Sequence, residues 1–226
     1  SPQNIGTGHP SGTGITTRFS NSSVSGVTLL ANMTFDGPVV LQSGLLSMST
    51  FNITMSGATW TTNGGTLSSG ASNVVNFSGT TLVSGSVTPV FRNVSILNGA
   101  NVSISSADIV IQGNLTIQSS AAFTHNGNEV RFTAGSNQTI DANGVDLFDV
   151  RINKTAGIVT LSSGLDILNV LTIQTATQVN TNNFLTLIST SESTVGTGSI
   201  GPLATGAIIN GNVTVQRFLG DFSAVP

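Results

Sequence analysis

The stretch Asn93-Val-Ser-Ile-Leu-Asn-Gly-Ala-Asn101-Val-Ser-Ile-Ser-Ser-Ala-Asp-Ile109-Val-Ile-Gln-Gly-Asn-Leu115-Thr-Ile-Gln118 decides the fold. It holds four apolar-polar-apolar or all-apolar bursts, Val94-Ser-Ile96, Val102-Ser-Ile104, Ile109-Val-Ile111 and Leu115-Thr-Ile117. Each has the period of two that turns alternate side chains to one face of a strand. Turn formers, Asn98-Gly-Ala-Asn101 and Gln112-Gly-Asn114, separate them. The same grammar extends in both directions, through Val27-Thr-Leu29, Met33-Thr-Phe35, Val130-Arg-Phe132, Val150-Arg-Ile152, Val159-Thr-Leu161, Leu171-Thr-Ile173 and Val213-Thr-Val215. Strands this short and this numerous do not suit a simple sandwich.

A longer self-similarity chooses among the remaining all-β folds. Sliding the chain by about 56 residues lays Val94-Ser-Ile96 on Val150-Arg-Ile152, Leu115-Thr-Ile-Gln118 on Leu171-Thr-Ile-Gln174, and Asn126 on Asn182. Within that unit strand-plus-turn patterns return about every 15 to 21 residues, as at Val94, Leu115, Val130 and Val150, which is one coil of a parallel β-helix. The expectation is a parallel β-helix or β-solenoid of about eight to ten coils, with three coils per long repeat and the right-handed crossover usual for parallel strands. Residues 1–26 read as an N-terminal cap or linker, 27–200 as the solenoid, and 201–226 as a closing strand and junction.

Composition agrees and excludes other classes. Of 226 residues 38% are hydrophobic and 7% charged, with six Lys+Arg, nine Asp+Glu and a net charge of −3. No basic patch can neutralise a run of phosphates, so nucleic acid is not expected as a partner. Cysteine is absent, which removes disulfides, thiolate metal sites and a cysteine nucleophile. No Tyr and one Trp do not suit the aromatic girdles of an outer-membrane barrel. A mean hydropathy of +0.28 with little charge argues for a folded chain rather than a disordered one.

Near the C-terminus, Gly196-Thr-Gly-Ser-Ile-Gly201 followed by Ile209-Asn-Gly-Asn-Val-Thr-Val-Gln-Arg-Phe218 resembles a junction in large secreted surface proteins of the Bacteroidota. Phe148-Asp-Val-Arg-Ile-Asn-Lys-Thr-Ala-Gly157 and Gly113-Asn-Leu-Thr-Ile-Gln118 are similar to phrases of the β-solenoid arrays in the same proteins. The resemblance covers about residues 75–219. It implies an exported, extracellular or cell-surface protein with an adhesin-like or structural use, delivered by the type IX route. The family's sorting domain is not seen before Pro226, and no signal peptide is seen at Ser1, so the chain reads as a fragment, a processed product or a short relative.

Candidate sites are few. Asp141, Asp146 and Asp149, with Arg151 and Lys154 downstream, form the one acidic cluster, and Asp141 with Asp146 is the calcium candidate. Alternation puts Asp149 and Arg151 on one outward face, where they read as an exposed cross-rung charge pair. Trp60, in Gly57-Ala-Thr-Trp-Thr-Thr62, is the candidate glycan contact, against packing in the core. His9 and His125 lack partners at metal spacing and read as turn histidines. Ten N-x-[ST] triplets begin at Asn21, Asn32, Asn52, Asn76, Asn93, Asn101, Asn114, Asn137, Asn153 and Asn212. A corner Asn before a strand produces such triplets without glycosylation. The resulting expectation is a structural or adhesive, non-enzymatic solenoid segment that stacks end to end or adjoins further modules, without resident cofactor or membrane insertion. The alternatives are a glycan-binding or glycan-cleaving β-helix and an ice-binding solenoid, which needs Thr-x-Thr repeated in successive coils, whereas Thr175-Ala-Thr177 has no clear counterpart one coil away.

Overall fold

The computed structural model describes residues 3–9, 12–22, 26–105, 107–189 and 197–217. Gly196 and Phe218 of the junction phrase, and the rest of 218–226, lie outside them. The described residues form strands and no helix, and every strand-to-strand ladder is parallel, giving a β-solenoid of about nine turns. Among the described residues no helix is long and apolar enough to cross a membrane.

Each coil has three sides. One is an unbroken nine-stranded sheet running from Met33–Phe35 to Ile208–Asn210, here called the second face. Another, the third face, is a six-stranded sheet from Thr17–Ser20 to Ala122–Thr124. The first face starts as a four-stranded sheet, Gln3–Ile5 to Thr66–Ser68, and resumes as an eight-stranded sheet at Val90–Phe91. The ladder is broken between Thr66–Ser68 and Val90–Phe91, where Pro89 has no N–H to give. In the later coils the third and first faces fuse. Val145–Lys154 and Leu165–Ile173 each run through the corner, with a bulge between Leu147 and Asp149 absorbing the bend.

Inward residues stack coil upon coil. Leu115, Ile140 and Leu161 form one column on the second face and Val130, Val150 and Leu171 another on the first, all buried. Burying these aliphatics against like neighbours supplies the main stabilisation, about 1.5–3 kcal/mol for each such side chain. Hydrogen bonds between neighbouring coils join residues 20 to 23 apart at Asn32–Asn52, Asn52–Val74 and Thr61–Ser84, and as many as 31 apart at Thr181–Asn212.

Two expectations are corrected. The 56-residue shift is not three coils. Val94 lies on the second face and Val150 on the first, two complete coils and two further sides later. The repeating unit is therefore the side, an in-out-in strand with its corner, rather than the coil. The boundaries at 26 and 201 also fall inside the solenoid, because Gln3–Ile5 pairs with Val27–Leu29, Thr17–Ser20 with Val39–Ser43, and Val213–Gln216 with Leu185–Ile188.

The corners show what the strands cannot do alone. Side-chain oxygens of Asn32, Asn52, Asn93, Asn114 and Asn137 accept from the backbone N–H of Asn52, Val74, Asn114, Thr139 and Ile158 in the next coil, at 2.8 to 3.1 Å. Inside the corner between the first and second faces the direction reverses. Asn73 donates to Phe51 O at 2.7 Å, Gln138 to Gly113 O at 2.7 Å and Thr177 to Gly157 O at 2.9 Å. Buried backbone groups left out of a ladder must find partners, and here uncharged side chains provide them.

Gly44 and Gly99 share a φ of +77°, yet a Cβ at Gly44 would lie 1.9 Å from Asn21 O, whereas at Gly99 it meets nothing within 4 Å. Gly99→Ala is expected to cost about 1 kcal/mol, the left-handed backbone term alone. Gly44→Ala is expected to cost about 3 kcal/mol or more, because two coils must separate. Denaturant unfolding of the two variants checks the difference.

Candidate functional site

Charge concentrates on the first face. Strand Glu129–Ala134 lies in register with the second half of Val145–Lys154, which stacks Glu129 on Asp149 and Arg131 on Arg151. Two guanidiniums one strand spacing apart repel, and Glu129 sits between them. Arg151 Nε donates to Glu129 Oε2 at 2.7 Å, and Arg131 Nε donates to Glu129 Oε1. Arg131 Nη2 reaches Asp108 Oδ2 at 2.6 Å. The bond to Glu129 holds the Arg131 guanidinium above its ordinary value. Asp149 is turned to another task, accepting from Asn169 Nδ2 at 2.8 Å and from Val170 N at 3.1 Å beside the bulge. The expected Asp149–Arg151 pair is thus replaced. Arg151 takes the carboxylate of the preceding coil, and Asp149 caps unpaired backbone.

The calcium candidates are not brought together. Asp141 ends a second-face strand beside Thr116, and Asp146 is exposed on the third face, with the buried Ala142 at the corner between them. Among the described residues no group of three His, Cys, Asp or Glu could hold a metal ion. Asp146 is instead in register with Asp166 of the next coil. Burial raises the Asp166 carboxyl above its ordinary range, with Asp146 adding to the rise and a hydrogen bond with Thr186 opposing it. This juxtaposition was readable: Val145-Asp-Leu147 and Leu165-Asp-Ile167 are the same phrase one coil apart.

Lys154 departs furthest from expectation. It continues the inward phase of Val150 and Ile152 and is 2% exposed, the one lysine in the interior. Its Nζ donates to Ser136 O and to Gln138 Oε1, both at 2.7 Å, and Gln138 passes the chain on to Ile111 O and Gly113 O. No carboxylate is among these partners. Burial, with a smaller contribution from the Arg92 charge, lowers the ammonium to about 8. The lysine serves as one more donor of the buried corner series.

Trp60 is fully buried. Its ring meets Phe91 edge-on at 5.4 Å and its Nε1 donates to Thr62 Oγ1 at 3.3 Å. It stands at the wall of a cleft of about 300 Å³, lined also by Leu41, Leu67, Val87 and Val90, where the first-face ladder is interrupted. The ring therefore offers no exposed face for stacking on a sugar. Thr177 is likewise buried and Thr175 Oγ1 accepts from Lys154 N, so Thr175-Ala-Thr177 is a corner rather than an outward threonine pair.

His9 bonds Thr17 Oγ1 at 2.9 Å and sets its ring edge-on to Phe35 at 5.9 Å, helping to cover the first coil. His125 stacks on Phe148 at 5.4 Å, and its Nδ1 accepts from Gly127 N at 3.0 Å. Burial lowers its pKa, against an opposing pull from Asp146 and Asp149. Among the N-x-[ST] asparagines, the five that bond the next coil's backbone account for their triplets as corner chemistry.

No family model, curated protein or solved structure matches the chain.

Two outcomes follow from these charges. A base whose folded pKa lies below its unfolded one gives up its proton on folding, so stability rises with pH between the two values. For Lys154 that window runs from about 8 to the ordinary 10.5. Unfolding midpoints across this range should rise in the native chain, with a smaller slope in Lys154→Met. Glu129→Gln should cost about 1 kcal/mol, with the loss growing smaller in high salt as the Arg131–Arg151 repulsion is screened. Chemical denaturation at two ionic strengths measures it.

Proposed function

We propose that the chain is a structural rod, a segment of a surface or extracellular protein that holds adjoining modules apart and displays an outer surface of low charge. The observation that carries this reading is the continuity of the second face. Nine strands pair without a break, the columns beneath them are apolar but for the buried Gln138, and corner asparagines tie one coil to the next. Such a stack resists local opening, because each coil contacts only its two neighbours and is fixed by both.

The two ends differ. Phe19, Met33 and Phe35 of the first coil are buried, partly under His9. In the last coil the inward Ile200, Leu203 and Val215 are 38%, 45% and 51% exposed, although the residues they stack on, Leu171, Ile173 and Leu187, are buried. A covered first coil opposes head-to-tail stacking onto the open last one, so the reading favours a rod within a larger assembly over a self-polymerising filament. An adhesive use is part of the same proposal. The outer columns of Ser, Thr and Asn suit contact with neutral, hydroxyl-rich surfaces such as glycans.

Negative-stain electron microscopy of the purified chain, with and without EDTA, tests the proposal. Short rods of one length in both conditions are expected. Filaments would replace the rod with a stacking subunit, and rods that collapse in EDTA would restore a structural calcium.

A further inference from the structure

Five Asn-Gly pairs occur, at Asn63, Asn98, Asn126, Asn143 and Asn210. Two of them are built alike. Asn126 and Asn143 both have φ +50°, their glycines have φ +77° and +75°, and all four residues are exposed. Each asparagine donates its Nδ2 to a carbonyl of the preceding coil, Asn126 to Ile104 O at 2.8 Å and Asn143 to Ile117 O. They differ at the next amide. Gly144 N donates to Gly164 O at 2.7 Å, a backbone bond of the solenoid. Gly127 N donates to the imidazole Nδ1 of His125 at 3.0 Å.

We propose that Asn126 is a site of self-modification, at which His125 acts as general base for deamidation through a succinimide. In this step the Gly127 nitrogen gives its proton to His125 Nδ1 and bonds to Asn126 Cγ. The Cγ–Nδ2 bond then breaks, and the imidazolium returns the proton to the departing amine, so ammonia leaves. Water opens the ring to aspartate or isoaspartate. No oxidant or reductant takes part, and the only co-reactant is solvent water.

The geometry supplies what the reaction lacks in an ordinary Asn-Gly turn. A backbone amide is a very weak acid, and a base already hydrogen-bonded to it removes the proton as the new bond forms. The acceptor role of Nδ1 requires the tautomer protonated at Nε2. The imidazole is held by the Phe148 ring, and the charged groups facing it are Asp146 and Asp149 of the strand Val145–Lys154. Burial outweighs those two carboxylates and favours the neutral ring, the form that can accept the proton. Asn126 must release Ile104 O to react, but Asn143 must release Ile117 O in the same way, so the difference between them rests on the glycine amide.

The product alters the corner. An aspartate cannot donate to Ile104 O, and an isoaspartate lengthens the main chain by one carbon between Thr124 and Glu129. The coil is thereby loosened at the side where Ala122–Thr124 turns toward Glu129–Ala134.

The intact chain contains its own control. It is incubated at neutral pH, and peptides are assayed by mass spectrometry for the one-dalton gain and for isoaspartate. Asn126 should convert at least about a hundredfold faster than Asn143, the low end of what a positioned base contributes. Its rate should rise with pH through the titration of His125 and then level. His125→Gln keeps an acceptor but not a base, and should bring Asn126 down to the Asn143 rate while circular dichroism stays unchanged. Equal rates at the two asparagines in the native chain would falsify the proposal, as would an unchanged Asn126 rate in a folded His125→Gln variant.

Discussion

A parallel solenoid satisfies its straight segments automatically and its corners only in part. Along each side, N–H and C=O groups meet the coils above and below, but at a corner the chain turns away from that ladder and leaves polar groups beside an apolar core. Everything distinctive in this protein answers that constraint. Outside the bends, asparagine carbonyls take up the orphan amides. Inside one bend, Asn73, Gln138, Lys154 and Thr177 give protons to orphan carbonyls. The uncharged polar composition is therefore a consequence of geometry, since corner work needs short groups that both donate and accept.

This explains how much was legible beforehand. Sides were legible, because an in-out-in strand leaves a period-two trace, and Val27–Leu29, Ile109–Ile111 and Val159–Leu161 stand where that trace puts them. Gln3–Ile5, Thr66–Ser68 and Ala122–Thr124 left too weak a trace, since their side chains are mostly exposed and no apolar alternation is required of them. The coil count within the long repeat was misread for a related reason. All three sides share one grammar, so a shift that superposes different sides scores as well as one that superposes whole coils.

Side-chain roles were harder to read than strands. Lys154 looks like the tail of a charged surface strand unless the phase of Val150 and Ile152 is carried two residues further than hydrophobicity suggests. Glu129 and Arg151 become partners only through the exact register of neighbouring coils, which sequence spacing of 15 to 21 residues does not fix. Trp60 shows the opposite limit, for a lone tryptophan on a polar strand carries no sign of which way it faces.

The break in the first face gives the rod a mechanical grain. A second gap falls on the third face, where Ala122–Thr124 ends its sheet and is not paired with the start of Val145–Lys154; elsewhere adjacent coils are joined by ladders on all three sides or on the fused sheet that replaces two of them. Between the coils of Thr66–Ser68 and Val90–Phe91, two sides alone are laced, through Val74–Phe77 with Asn93–Ile96 and Thr80–Gly85 with Asn101–Ile104. Load applied along the axis is carried off-centre at that plane, so the molecule flexes there about its two laced edges. The Trp60 cleft lies on the side that opens, which makes the rod a jointed strut rather than a uniform one.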